Sequence, residues 1–87
     1  MNLVYIIGKV VSDIDYKFTY KSNKNAVSIF VCELNNGSLI RVKAFDDKAD
    51  YCYVNLKQGD FIIVEGKLSS KSNVNVKNII DISKLSK

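Results

Sequence analysis

The sequence predicts an all-β fold with one short helix, built as a small barrel of five strands. Three observations predict it. Apolar segments of strand length, rich in Val, Ile, Tyr and Phe, recur along the chain. Polar or glycine-containing turns separate them. A single stretch, opened by two aspartates, reads as a helix of about two to three turns.

The elements follow in order. Leu3 to Val11 is the first strand, and Gly8 inside it suggests a bulge or sharp bend. Asp13 to Tyr20 continues it with alternating polar and apolar residues, and residues 21–25 are a polar turn. Ala26 to Leu34 is the second strand. Asn35-Asn36-Gly37-Ser38 is a hairpin signal, since Asn and Gly accept the positive φ of tight turns. Leu39 to Phe45 is the third strand and Asp46 to Asn55 the helix. After the Gln58-Gly59-Asp60 turn come Phe61 to Leu68 and, past a polar turn, Val74 to Ile80. Five strands with the helix between the third and fourth is the order of the OB-fold, a Greek-key barrel. No linker, repeat or low-complexity tract interrupts it, so residues 1–87 are expected to form one OB-fold domain.

Composition narrows the function. An apolar fraction of 47% is too high for a disordered chain. No apolar run approaches the roughly 20 residues of a membrane span, and the N-terminus lacks the features of a secretory signal. A cytoplasmic protein with no membrane partner is expected. There is no histidine, so the usual general base and the usual metal ligand are both missing. Cys32 and Cys52 alone cannot make a four-cysteine zinc site, and their spacing matches no redox motif. They read as small core residues. The glycines are too scattered for a phosphate loop. Asp46 and Asp47 read as helix-capping residues rather than a catalytic pair. No catalytic residue, metal, cofactor or small-molecule substrate is expected, and a binding module is the default.

Strand parity suggests what is bound. In the third strand Ile40, Val42 and Ala44 share one face, and Leu39, Arg41, Lys43 and Phe45 the other. The first set suits a barrel interior. The second mixes cations with large apolar groups, as single-strand nucleic-acid binders do: cations hold phosphates and rings stack on bases. Lysines also gather in the 17–24 stretch and the C-terminal part, whereas acids concentrate around the helix. A basic groove opposite an acidic end is expected, although a net charge of +4 is modest. The first and fourth strands are apolar on both faces, at Leu3 to Ile7 and Phe61 to Val64. One face fills the barrel, and the other suggests an interface in a homodimer or homotetramer.

Over nearly its whole length the chain resembles the bacterial single-stranded DNA-binding protein family. The similarity is carried by Asn2-Leu3-Val4-Tyr5-Ile6-Ile7-Gly8-Lys9-Val10 and by Asp13-Ile14-Asp15-Tyr16-Lys17-Phe18-Thr19, where Ile14 replaces a Pro. It extends to Ala26 to Phe30, Ala49-Asp50, Leu56 to Asp60 and Val64-Glu65-Gly66-Lys67-Leu68. The resemblance implies an OB-fold that binds single-stranded DNA largely without sequence preference and works as an oligomer. It puts Phe45 at an aromatic stacking position, Arg41 at a basic position of the same face, Leu39 where many members have Trp, and Phe18 at a Tyr position beside Lys17.

The candidate nucleic-acid-binding residues are therefore Phe45, Arg41, Lys43, Phe18, Lys17, Tyr20, Lys9, Lys67, Lys71 and Lys77. RNA is a possible ligand beside DNA, because stacking and phosphate contacts do not read the 2′-hydroxyl. Some features depart from the family pattern. No Trp is present, the loops after the second and fourth strands are short, and a member without the family's acidic tail is expected. These point to a small binding site and an accessory role in replication, recombination or a mobile element. They also keep open an alternative, an OB-fold module that binds another protein and touches DNA weakly or not at all.

Overall fold

The computed structural model describes residues 3–18 and 26–85. The elements are β1 (Leu3–Val10), β2 (Asp15–Phe18), β3 (Ala26–Leu34), β4 (Leu39–Phe45), α1 (Asp46–Asn55), β5 (Phe61–Ser70), β6 (Asn73–Asp81) and a final turn of helix, α2 (Ile82–Leu85). Hydrogen-bonded neighbours run β1-β5-β6-β4-β3-β2, and β1 also pairs with β3. That last pairing closes β1, β5, β6, β4 and β3 into a five-stranded barrel. All contacts are antiparallel except β4–β6, which is parallel.

The expected continuation of the first strand is present, but as a separate strand on the same edge of β3. There β1 pairs with Cys32 to Leu34 and β2 with Ala26 to Ile29. Between them the Val31 N–H donates to the Ser12 hydroxyl at 2.8 Å, and the Val11 N–H donates to the Val31 carbonyl at 2.9 Å. The edge of β3 thus stays satisfied across the break. At Gly8 the register runs on without a bulge, against both Ile62 of β5 and Leu34 of β3. Glycine is needed there for close approach, since a Cβ would lie 3.0 Å from the Glu33 carbonyl oxygen. The β3–β4 hairpin turns at Asn35-Asn36-Gly37. Leu34 N–H donates to the Ser38 carbonyl, and Gly37 sits at φ 87°.

Alternation places the core. Val10, Phe30, Cys32, Ile40, Val42, Ala44, Ile62, Val64 and Val74 point inward and are buried together with Cys52 and Leu56. Helix α1 closes one end of the barrel with Ala49 and Cys52, three residues apart on one face, and Leu56 just past its end adds a further buried side chain. The buried Ser28 hydroxyl donates to the Ala49 carbonyl at 2.8 Å and ties β3 to that helix. On its outer side Tyr16 stacks on Tyr53 with ring centres 4.5 Å apart and donates to Asp50 at 2.7 Å, which binds β2 to α1.

The two aspartates lie in the first turn of α1, where the helix dipole favours them, but the N-cap position is Phe45. Asp46 instead takes a left-handed φ of 51° and accepts a hydrogen bond from the Ala26 N–H at 3.4 Å. It turns the chain from strand to helix. The two cysteines are free and buried. Burial pushes both thiols up to about 12, so they stay protonated and behave as small apolar groups.

Candidate nucleic-acid interface

The outer face of β4 carries Leu39, Arg41, Lys43 and Phe45, because Ile40, Val42 and Ala44 fill the core. Pairing then decides what joins them. Phe45 is in register with Val27 of β3, and Val27 with Lys17 of β2, so these three form one row. Lys43 is in register with Ile29 on one side and Asn75 on the other, and Asn75 in turn with Lys67. Arg41 is in register with Val31 and Asn73. The face is therefore a grid, with a cation in each row and a ring at one corner.

Two grooves cross this grid. One, of about 400 Å³, is lined by Phe45, Lys67, Asn75, Val76 and Lys77. The other, of about 330 Å³, is lined by Val31, Leu39, Ile40, Arg41, Ser72 and Asn73. Lys77 reaches the first groove through a register shift. Glu65 pairs with Asn78 but Gly66 with Val76, which leaves Lys77 as the extra residue of a β-bulge. Lys71 sits in the β5–β6 turn, whose Ser72 carbonyl accepts from the Arg41 N–H at 2.7 Å.

Electrostatics favours an anionic ligand here. Among the described residues, Arg41, Lys43 and Lys67 make no ion pair, and Arg41 and Lys67 are exposed. The acids of α1 lie beyond the strand-to-helix switch. Glu65 is engaged elsewhere, accepting from the Asn78 amide at 2.7 Å and the Tyr5 hydroxyl at 3.1 Å. Those two bonds, with Lys77 nearby, hold its carboxyl below the usual range.

The other candidates are placed differently. Phe18 follows Lys17 directly, so it lies on the opposite side of β2, in register with buried Ala26 and out of phase with Phe45. Lys9 lies at the barrel seam, in register with Phe61 and Glu33, and that glutamate separates it from Leu39. Tyr20 lies outside the described residues. Asn75 was not among the sequence candidates, although the alternation of Val74 and Val76 with Asn75 and Lys77 signals its outward position. Among the described residues no group of His, Cys, Asp or Glu could hold a metal ion, and no helix is long and apolar enough to cross a membrane.

A closed five-stranded barrel with its helix between β4 and β5 is an OB-fold, as the order of elements predicted. The chain belongs to the single-strand binding protein family, whose model matches residues 1–81. Solved structures share the fold. The SSB domain of a Synechococcus protein is similar at TM-score 0.80 and 17% identity, over 91% of this chain and 93% of that one. A small single-stranded DNA-binding protein from Streptomyces coelicolor is similar at TM-score 0.81 and 16% identity, over 93% and 94%. The single-stranded DNA binding protein from Thermus aquaticus is similar at TM-score 0.80 and 22% identity, over 93% of this chain and 40% of that one. No curated protein sequence matches significantly.

Proposed function

We propose that the chain binds single-stranded DNA across the outer face of β4, β6 and β5. The observation that carries this reading is the set of cations around a half-buried ring, with Arg41, Lys43 and Lys67 free of ion pairs among the described residues, on a member of the single-strand binding protein family. Phe45 stacks on a base, and Lys17, Arg41, Lys43, Lys67 and Lys77 hold phosphates, with Lys71 at the rim. Binding is the whole activity, with no bond made or broken. RNA shares the phosphates and the π-faces and is a weaker alternative ligand.

Fluorescence anisotropy with labelled oligo-dT and matching duplex DNA tests this. Five to six neutralised phosphates predict a log–log salt slope of about −3.5 to −4 for the single strand, and weak duplex binding. No binding to oligo-dT at low salt would reject the reading in favour of a protein-binding module.

We also infer that the chain works as a homodimer or homotetramer. Two features support it. Tyr5 and Ile7 are 70% and 64% exposed, and they share an outer face with Phe61, Ile63 and Ile80 through the register of β1, β5 and β6. Among the described residues the Leu3–Ile7 half of β1 pairs only with β5, and its other edge carries no strand, a template for a second one. Light scattering after gel filtration should give a multiple of the chain mass for the wild type. Ile7→Glu puts a charge into the proposed interface and should shift the protein to monomer at the same concentration. A wild type that is monomeric across a concentration series would reject the inference.

A further inference from the structure

Glu65 is an acid at the border of the cationic groove. It lies on the outer face of β5, two residues from Lys67, in register with Tyr5 of β1 and Asn78 of β6. The next pair along, Gly66 with Val76, leaves Lys77 as the bulged residue that lines the groove. A loose carboxylate here would oppose phosphate binding twice. It would pair with a groove lysine, and its charge would repel the strand. Among the described residues neither Lys67 nor Lys77 makes an ion pair with it. Instead one carboxylate oxygen accepts from the Asn78 amide at 2.7 Å and the other from the Tyr5 hydroxyl at 3.1 Å. The two donors come from the strands on either side, so they hold the carboxylate across β5, in line with its own row. Those bonds, with Lys77 nearby, lower the Glu65 carboxyl, so it is ionised at neutral pH. The same bond raises the Tyr5 phenol, which keeps the proton it donates.

We propose that Tyr5 and Asn78 are positioning residues for the phosphate site: together they clamp Glu65 and keep Lys77 and Lys67 available to the strand. This rests on the reading of the face as a single-strand interface. Neither residue touches the strand, and both act through Glu65. Loss of one donor leaves a carboxylate oxygen without its bond. The flexible glutamate side chain then turns to a cation it can reach. Lys77 is beside it at the bulge, and Lys67 shares its face of β5. Either pairing removes one phosphate contact and carries a negative charge toward the groove beside Phe45. The clamp thereby ties β1, on the far side of β5 from the groove, to the strength of binding on β6 and β4.

The test is a double-mutant cycle, read by anisotropy with labelled oligo-dT at neutral pH. Asn78→Ala should weaken binding by about threefold at low salt, the scale of one exposed ion pair. It should also lower the magnitude of the salt slope by about 0.7, the share of one phosphate contact. Tyr5→Phe loses only the hydroxyl and should shift both quantities the same way. It takes the place of Asn78→Ala in the cycle if that variant misfolds. Glu65→Gln keeps the length of the side chain and removes its charge. Combined with Asn78→Ala, it should bring affinity and salt slope back to the wild-type values or beyond. A purely structural part for Asn78, in shaping the bulge, would leave the double variant as weak as Asn78→Ala, and that result would overturn the clamp. So would wild-type affinity in Asn78→Ala itself. Failure of the wild type to bind oligo-dT at low salt would overturn the interface reading and this proposal with it.

Discussion

Phe45→Ala weakens binding to oligo-dT by about 1–3 kcal/mol and leaves the barrel folded. The first half follows from where the ring stands. It lines the groove with Lys67 and Lys77 and shares a row with Lys17, so a base stacked on it keeps its phosphates within reach of cations on three strands. The second half follows from what the ring does not do. It is absent from the buried core cluster, which takes Phe30 as its large aromatic residue. The backbone at Phe45 is extended, φ −124° and ψ 149°, and alanine accepts it without strain. Anisotropy at fixed low salt reads the loss, and circular dichroism reads the fold. The salt slope separates the two kinds of contact. It should stay at the wild-type value in Phe45→Ala and fall in magnitude by about 0.7 in Lys67→Ala. Unchanged affinity in Phe45→Ala would remove the ring from the interface and leave the cations as simple surface charge.

The grid around Phe45 was only partly legible in the sequence, and the reasons are physical. The face of β4 is a local property. Ile40, Val42 and Ala44 alternate with Leu39, Arg41, Lys43 and Phe45, and the period of two of a half-buried strand reads out both sets at once. Helix α1 was legible for the same reason, as its bounds at Asp46 and Asn55 fall where the β pattern stops. What joins β4 to β6 is not local. Their parallel pairing brings Asn75 beside Lys43 from 32 positions along the chain, and no pattern within either strand announces it. The break between β1 and β2 was hidden likewise, because a hydroxyl-to-backbone bond from Val31 to Ser12 holds it. Helix α2 rests on small polar contacts, such as Ser83 N–H to Asp81 and Phe61 N–H to the Ser83 hydroxyl, which leave no periodic trace. Phe18 is the opposite case. The parity that places Phe45 on the outer face of β4 also sets Phe18 apart from its neighbour Lys17, and that alternation is legible in the sequence.

Gly66→Ala should be the most damaging of the single-methyl changes, at about 3 kcal/mol of stability. Gly66 is buried on β5, between Val4 of β1 and Val76 of β6. A Cβ there would lie 2.2 Å from the Asn75 carbonyl oxygen and 2.9 Å from Val74 Cγ1. Backbone cannot swing aside as a side chain can, so β5 and β6 must separate at the bulge that carries Lys77. The damage therefore reaches the groove. Asn75 and Lys77 move with the β6 backbone, and the row of Lys43, Asn75 and Lys67 loses its spacing. Gly37→Ala is the matched control. Gly37 has open space around its Cα but a φ of 87°, so alanine there meets only backbone strain of about 1–2 kcal/mol. Urea unfolding compares the two stabilities, and oligo-dT anisotropy under native conditions compares the two grooves. Gly66→Ala should lose on both counts, Gly37→Ala on the first alone. If Gly66→Ala were no less stable than Gly37→Ala and bound oligo-dT like the wild type, the close approach of β5 to β6 would not be what shapes the groove beside Phe45.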